Sequence, residues 1–178
     1  MRSAPPTAAS ISPRVIAVSS LSKAFGTPGL RLGWLITRDA ALMETFLAAK
    51  EQIGICGGIL DERLGIAVLE QRAKWLAHSR PINVVRRQIV SDWIAAEPLM
   101  EWVAPSGGVV CFPRMTTNPT FDIDRFYHSL LHEHGTYVGP GHWFEMPRRY
   151  MRIGFAWPTE QELRDGLAAI SAALREQG

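Results

Sequence analysis

The sequence predicts an α/β fold whose two halves differ in how strands and helices follow one another. In the first half, two short strand-like runs are followed by long helical patterns. After Pro98, strand and helix signals mix over shorter stretches, which is typical of an α+β unit. With 178 residues and 47% hydrophobic content, the chain can bury a core, and its length predicts one domain and a fraction of a second.

The first half begins with a segment rich in Ala, Ser and Pro, residues 1–14, which we expect to be a disordered lead-in. Residues 15–19 form a β-branched run and predict a strand, and residues 34–37 predict a second. Between them, residues 20–33 are dense in Gly and Ser and predict a loop.

Helical patterns fill the rest of this half. Asp39 is a good N-cap for a helix that reaches about Gln52. Gly57 and Gly58 break the pattern, and a long helical stretch begins at Asp61. Pro81 predicts a kink or a new helix start, because proline lacks the N–H that a helix interior needs. Residues 15–80 are therefore taken as one part of the fold and residues 81–178 as a small α+β domain.

The second half combines strand and helix signals. Residues 102–104 and 109–112 predict two strands around a tight connection, with further strands at 136–138 and 150–155.

Asp122 or Asp124 starts a helix that Gly135 ends. Thr159 and Glu162 have the spacing of a capping box for the last helix.

Composition and charge exclude several classes of function. The net charge is +2 and there is no basic run, so we expect no nucleic-acid partner. No apolar run approaches the roughly 20 residues that cross a membrane, and no segment is typical of a signal peptide. Two distant cysteines argue against a disulfide framework, and Cys56 is expected to be a buried, inert thiol. The predicted location is the cytoplasm.

One segment, residues 20–33, carries residue types suited to phosphate and carbonyl chemistry. Lys23 follows a strand, where a loop can present it to a crevice. Ser20, Ser22 and Arg31 are good phosphate ligands, and nearby glycines allow close backbone approach. A lysine near a fixed cation loses proton affinity, which favours Schiff-base formation. On spacing alone, an ordinary solvated lysine is as good an explanation.

The segment resembles the lysine signature of class I/II aminotransferases, which belong to the fold type I pyridoxal-phosphate enzymes. Nine positions match that signature: Ser20, Leu21, Ser22, Lys23, Gly26, Gly29, Arg31, Leu32 and Gly33. Thr27 departs from it, because the family usually has an apolar residue there. The resemblance implies that Lys23 holds pyridoxal 5′-phosphate as a Schiff base and moves the substrate proton. It also implies that Ser20, Arg31 and, less directly, Ser22 bind the phosphate.

A second match lies downstream, at residues 150–156. This run resembles the family strand whose arginine, here Arg152, grips the substrate α-carboxylate through two parallel hydrogen bonds. Val138, Gly139, Pro140, Gly141 and Phe144 resemble the family's pocket loop, and residues 105–113 its small-domain hairpin. The alternative is an arginine on an exposed strand face.

The resemblance implies an aminotransferase that acts on an amino acid and a 2-oxo acid, as a homodimer in its full-length form. A lyase, decarboxylase or cyclase of the same fold stays open, because such relatives share the lysine signature. The family's other cofactor contacts lie upstream of this strand. We therefore expect an incomplete fold type I enzyme, a C-terminal portion with weak or no activity alone, and a non-catalytic truncated pseudoenzyme remains a third alternative.

His128, His132 and His134 lie close together in sequence, which raises the question of a metal site. Such a site needs at least a third ligand from elsewhere, and a solvated helix face explains the histidines as well. No metal is therefore predicted.

Overall fold

The computed structural model describes residues 6–176. By its internal contacts the chain divides into two compact units, one up to Ser79 and one from Arg80. The elements are β1 (Ala17–Ser20), β2 (Gly33–Ile36), α1 (Ala40–Gly54), α2 (Ile59–Glu70), α3 (Arg72–Ala96), β3 (Met100–Glu101), β4 (Val110–Cys111), β5 (Arg114–Met115), α4 (Ile123–His132), β6 (Gly139–Pro140), β7 (Met151–Gly154) and α5 (Glu160–Arg175).

The two strands of the first unit form an antiparallel pair. Ala17 lies opposite Ile36, and Ser20 lies opposite Gly33. Both predicted strands are confirmed, each with its ends shifted by one or two residues. A Cβ atom at position 33 would lie 2.9 Å from the Ser19 carbonyl oxygen, so the close pairing at this end of the loop favours glycine.

The predicted cap of α1 is confirmed, since Asp39 Oδ1 accepts hydrogen bonds from the N–H groups of Ala41 and Leu42. Of the two alternatives predicted at Pro81, a kink or a new helix start, the new start is wrong. Pro81 lies inside α3, and the chain leaves helical geometry earlier, at Gln71, where φ is −96° and ψ is 19°.

Part of the segment that we expected to be disordered forms a short 3₁₀ helix, at Ala8–Ser10. Ala9 is 3% exposed, and Arg38 Nη1 donates a 3.2 Å hydrogen bond to the Ser10 carbonyl. A buried side chain and this contact order a segment whose composition alone favours disorder. Residues 1–5 of the lead-in lie outside the described residues.

The second unit contains a three-stranded antiparallel sheet in the order β4-β7-β6 and a separate pair, β3 with β5. Residues 102–104 are not a strand, because pairing stops at Glu101, which lies opposite Arg114. Val103 is 93% exposed, so its apolar character does not reflect burial in a sheet. The strands that flank the Gly107–Gly108 turn therefore pair with other strands and not with each other.

Residues 136–138 also differ from the predicted strand, and pairing with β7 begins only at Gly139. The reason is that this segment completes the end of α4. Gly135 has φ of 61°, and the Thr136 N–H donates a 2.8 Å hydrogen bond to the Leu130 carbonyl. A backbone N–H that satisfies a free helix carbonyl is not available to a sheet.

The core of the second unit is formed by buried residues of its strands, of the helices α3, α4 and α5 and of the connections between them. Phe126, Met151, Phe155 and Leu174 are each 0% exposed. The capping box is confirmed, with Thr159 Oγ1 accepting from the Glu162 N–H and Glu162 Oε2 accepting from the Thr159 N–H at 2.7 Å. Within residues 6–176, no helix is both long enough and apolar enough to span a bilayer.

Candidate functional site

Lys23 lies in a turn that follows β1. Its neighbour Leu21 is 1% exposed, whereas Lys23 itself is exposed. The buried leucine anchors the turn, while the lysine two residues later stays exposed to solvent.

Hydrogen bonds close the loop that contains this lysine. The N–H and the hydroxyl of Thr27 both donate to the Leu21 carbonyl, at 3.3 and 3.1 Å. The Gly26 N–H donates to the Lys23 carbonyl at 3.3 Å, and Gly26 has φ of 68°, where glycine avoids strain. Thr27 is the one departure from the family pattern, and in this chain its two hydrogen bonds close the loop.

Helix α2 supports the same loop from its buried side. A Cβ atom on Gly65 would lie 2.3 Å from Leu32 Cδ1 and 3.4 Å from Leu21 Cδ1. Only a glycine lets both leucines approach the helix backbone this closely. Leu21 and Leu32 are themselves joined by a 3.1 Å backbone hydrogen bond, so α2 supports both sides of the loop.

The predicted phosphate ligands lie together. Ser20, Ser22 and Arg31 line one open cavity of about 490 Å³, whose other lining residues are Val18, Ser19, Leu32, Gly33, Trp34 and Leu35. The Ser20 hydroxyl oxygen accepts a 3.3 Å hydrogen bond from the Ser22 N–H, and its own proton stays available to a ligand. Arg31 Nη1 donates to the Pro28 carbonyl at 2.9 Å and keeps its other N–H groups. Lys23 is not among the lining residues.

Arg152 lies on β7, where buried and exposed residues alternate. Met151 and Ile153 point into the core, and Arg152 is exposed. Within the described part of the chain, its guanidinium makes no hydrogen bond or ion pair and lies over the Phe144 ring, 5.1 Å from the ring centre. The arginine is thus free to bind an added carboxylate.

The predicted pocket loop includes a close backbone contact. Gly141 donates its N–H to the Tyr150 carbonyl at 2.7 Å, and a Cβ atom there would lie 2.2 Å from the Pro147 carbonyl oxygen. Any side chain at this position would separate the loop from the start of β7.

The histidines do not meet at one place. His128 and His132 are 4.5 Å apart on α4, between ring centres, whereas His134 lies beyond the helix and contacts Glu176 at 2.8 Å. Among residues 6–176, no group of three or more His, Cys, Asp or Glu side chains is placed to hold a metal ion.

The expectation of a buried Cys56 is wrong, because it is exposed in the connection between α1 and α2. Cys111 is the buried thiol, and burial raises its pKa to about 12.

Three positions have roles that the sequence reasoning missed: Thr27, Gly65 and Phe144. A glycine inside an amphipathic helical pattern is a signal of close packing, so Gly65 was detectable in principle. The tasks of Thr27 and Phe144 depend on neighbours that are several residues away or on another strand, and no local pattern indicates them.

Comparisons with known proteins place these features in a family. The sequence profile of "Aminotransferase class I and II" matches residues 3–170. Capreomycidine synthase of Streptomyces vinaceus is 35% identical over 162 residues, 90% of this chain and 40% of that protein. Aromatic aminotransferase ISS1 of Arabidopsis thaliana is 28% identical over 165 residues, 91% of this chain and 41% of that protein.

Solved structures agree with the sequence comparisons. A PLP-dependent aminotransferase from Streptococcus suis superposes with a TM-score of 0.87 at 29% identity, over 97% of this chain and 45% of that one. The PLP-dependent cyclase OrfR gives 0.78 at 27% identity, over 92% and 44%. The chain thus spans less than half the length of the relatives it matches, and it belongs to the aminotransferase class I and II family.

Proposed function

We propose that this chain provides the lysine and the substrate-carboxylate site of a pyridoxal-phosphate-dependent aminotransferase acting on an amino acid and a 2-oxo acid. The observation that carries the proposal is the grouping of Ser20, Ser22 and Arg31 around one cavity, with the exposed Lys23 following Ser22 in the sequence. The family membership of the chain supports the same chemistry.

The donors that line the cavity fit the cofactor's phosphate. Two hydroxyl groups and a guanidinium form a positively charged, hydrogen-bond-donating wall, which is what a phosphate needs. Ser20, Ser22 and Arg31 would therefore hold the phosphate.

Lys23 and Arg152 would act on different groups: Lys23 on the cofactor and the substrate α-carbon, and Arg152 on the substrate α-carboxylate. Pyridoxal phosphate supplies an aldehyde and an electron-accepting ring. Lys23 Nζ would hold that aldehyde covalently and, once the substrate amine has displaced it, would move a proton from the substrate α-carbon to the cofactor. Arg152 would orient the substrate through its α-carboxylate by two parallel hydrogen bonds.

A second candidate is a cyclase or related reaction on the same cofactor. One of the matched proteins favours it, the PLP-dependent cyclase OrfR at 27% identity. Every residue assigned above would serve either reaction, since lysine capture and carboxylate binding precede the step at which the reactions diverge. Homodimerisation and a cytoplasmic location are proposed with the enzyme.

Covalent capture at lysine tests the proposal directly. The chain has three lysines, Lys23, Lys50 and Lys74. After incubation with pyridoxal phosphate and reduction with borohydride, mass spectrometry of peptides should show the adduct at Lys23. Lys23→Arg should abolish that adduct, whereas the matched variants Lys50→Arg and Lys74→Arg should retain it.

Absence of the adduct from a folded chain at saturating cofactor would favour the non-catalytic alternative. If the adduct forms, amino acids added to the cofactor-loaded protein separate the two enzymatic candidates. Transamination yields a 2-oxo acid and the amine form of the cofactor, whereas cyclisation returns the aldehyde form and no 2-oxo acid.

A further inference from the structure

The guanidinium of Arg152 has an aromatic neighbour that no part of the proposed reaction uses. Exposed arginines on strand faces sample many rotamers, and fixing one costs entropy when it binds a ligand. Here the guanidinium carbon lies 5.1 Å from the centre of the Phe144 ring, within the range of a cation–π contact. The contact lies on the side chain that the proposed function assigns to the carboxylate.

Gly139 makes this contact possible. It lies opposite Arg152 in the pairing of β6 with β7. A Cβ atom at position 139 would lie 3.3 Å from Phe144 Cε2 and 3.5 Å from Arg152 Cβ. The missing side chain leaves the space in which the ring lies beside the arginine.

Phe144 is itself held by aromatic neighbours. It meets Phe112 edge to face, with ring centres 5.6 Å apart and planes at 82°. Phe112 stacks on Tyr150, with centres 5.5 Å apart and planes at 16°. Such pairs add to the stability that burial provides and define the orientation of each ring. The Phe144 ring is therefore a fixed surface for the arginine.

We propose that Phe144 is a positioning residue for carboxylate binding, because it holds the Arg152 guanidinium by a cation–π contact and leaves the in-plane N–H groups free for a carboxylate. The contact uses the face of the guanidinium, while a bidentate carboxylate uses its edge, so both fit the same side chain. This inference rests on the proposed role of Arg152.

Side-chain NMR of the ¹⁵N-labelled chain, saturated with pyridoxal phosphate, tests the contact. The Arg152 Nε–Hε signal, assigned by its loss in Arg152→Lys, should show a ring-current shift and a rigid heteronuclear NOE. Phe144→Leu, which keeps an apolar side chain without a ring, should lose both. Phe144→Tyr, the matched control, should keep both.

Binding of propionate, followed in the same spectra, tests the consequence. Phe144→Leu should weaken propionate binding about 2- to 5-fold, the range of an exposed cation–π contact, and Phe144→Tyr should stay within about 2-fold of wild type on the same scale. The uncharged propionamide should bind all three proteins equally. If propionate binding requires Arg152 but does not weaken when the ring at position 144 is lost, the inference about Phe144 is wrong. The proposed role of Arg152 is then unaffected.

Propionate binding that is absent, or unchanged in Arg152→Lys, overturns the proposed role of Arg152 and the inference with it. If Phe144→Leu fails to fold, Gly139→Ala gives a second test. Its Cβ atom would lie 3.3 Å from Phe144 Cε2 and would push the ring away slightly, so it should reduce the ring-current shift and weaken propionate binding. An unchanged spectrum and affinity in that variant would overturn the inference.

Discussion

The lysine loop and the strand of Arg152 present their side chains by different means. In the first unit, the described residues include three buried apolar side chains: Ala9, Leu21 and Val68. In the second, seventeen buried apolar residues form one core, and Arg152 lies on a strand that contributes Met151 and Ile153 to it. The lysine is held by turns and hydrogen bonds, whereas the arginine is held by a packed sheet.

The difference shows how much of each site depends on its surroundings. The lysine loop depends on two leucines, one threonine and one helical glycine, so single substitutions should change its geometry. The arginine strand contributes to a large core. Small local substitutions should therefore change its geometry little, whereas the deletion of a large core side chain should destabilise the whole unit. The predictions below test this contrast.

The largest expected effect is on the core of the second unit. Phe126→Ala should lower the free energy of unfolding by about 3–5 kcal/mol, because a fully buried ring leaves a cavity. Val68→Ala in the first unit should cost about 1.5 kcal/mol, since two methyl groups are lost. Urea denaturation followed by tryptophan fluorescence measures both. Equal costs would contradict the contrast between the units.

The rates at which the two cysteines are alkylated test the same contrast between the units. Cys56 is exposed, and Cys111 is 4% exposed with its pKa raised to about 12 by burial. A shift of three pKa units reduces the reactive thiolate on the order of 1000-fold. At pH 8, iodoacetamide should therefore modify Cys56 rapidly and Cys111 only after unfolding, as peptide mass spectrometry can measure. Comparable rates would mean that the second unit opens readily.

Alanine substitutions at two helical glycines test the comparison further, with smaller expected changes in stability. Gly65→Ala in α2 should stabilise the chain less than the same change at Gly166 in α5, because the Leu32 side chain must move to admit the new Cβ atom and this offsets the gain in helix propensity. It should also reduce borohydride-trapped cofactor at Lys23. Gly166→Ala in α5 is the matched control, since its Cβ would meet nothing closer than 3.7 Å. It should stabilise by up to about 1 kcal/mol, and a Gly65→Ala protein as stable as this control would refute the close-packing argument.

The smallest expected effect is at the start of α5. Thr159→Ala should cost about 1 kcal/mol near pH 7, because one end of the capping box is lost. The Thr159 N–H and hydroxyl hold the pKa of Glu162 below its usual value. A lowered folded-state pKa contributes stability above the unfolded-state value and loses it as the pH falls through the folded-state value.

Glu162→Gln tests that pH dependence. Between neutral pH and the acid range below the usual glutamate pKa, the melting temperature of the wild type should fall more than that of the variant, because the variant has no charge to lose at this position. Parallel melting curves across that range would show that Glu162 contributes nothing to acid sensitivity.

Much of the local structure was predictable, whereas features that depend on tertiary contacts were not. The caps at Asp39 and Thr159 depend on neighbours within three residues and are confirmed, and of the two candidates Asp122 and Asp124 the cap is Asp122. Short apolar runs misled at residues 102–104 and 136–138, because strand pairing depends on a distant partner.

The features of the candidate site also divide into those that the sequence indicated and those that only the structure shows. Family resemblance named Lys23, Ser20, Ser22, Arg31 and Arg152, and the structure brings Ser20, Ser22 and Arg31 to one cavity. The roles of all five remain proposals. Propensity and pattern would not have found the ring beside Arg152.

The sequence by itself determined the residue types of the chemistry and the segments that become helices, because capping and periodicity act over one or two turns. Only the tertiary structure decided which strands pair, how Thr27 closes the lysine loop and what lies against Arg152. Contacts between distant residues depend on packing and loop closure, and these are properties of the folded chain that no local window contains.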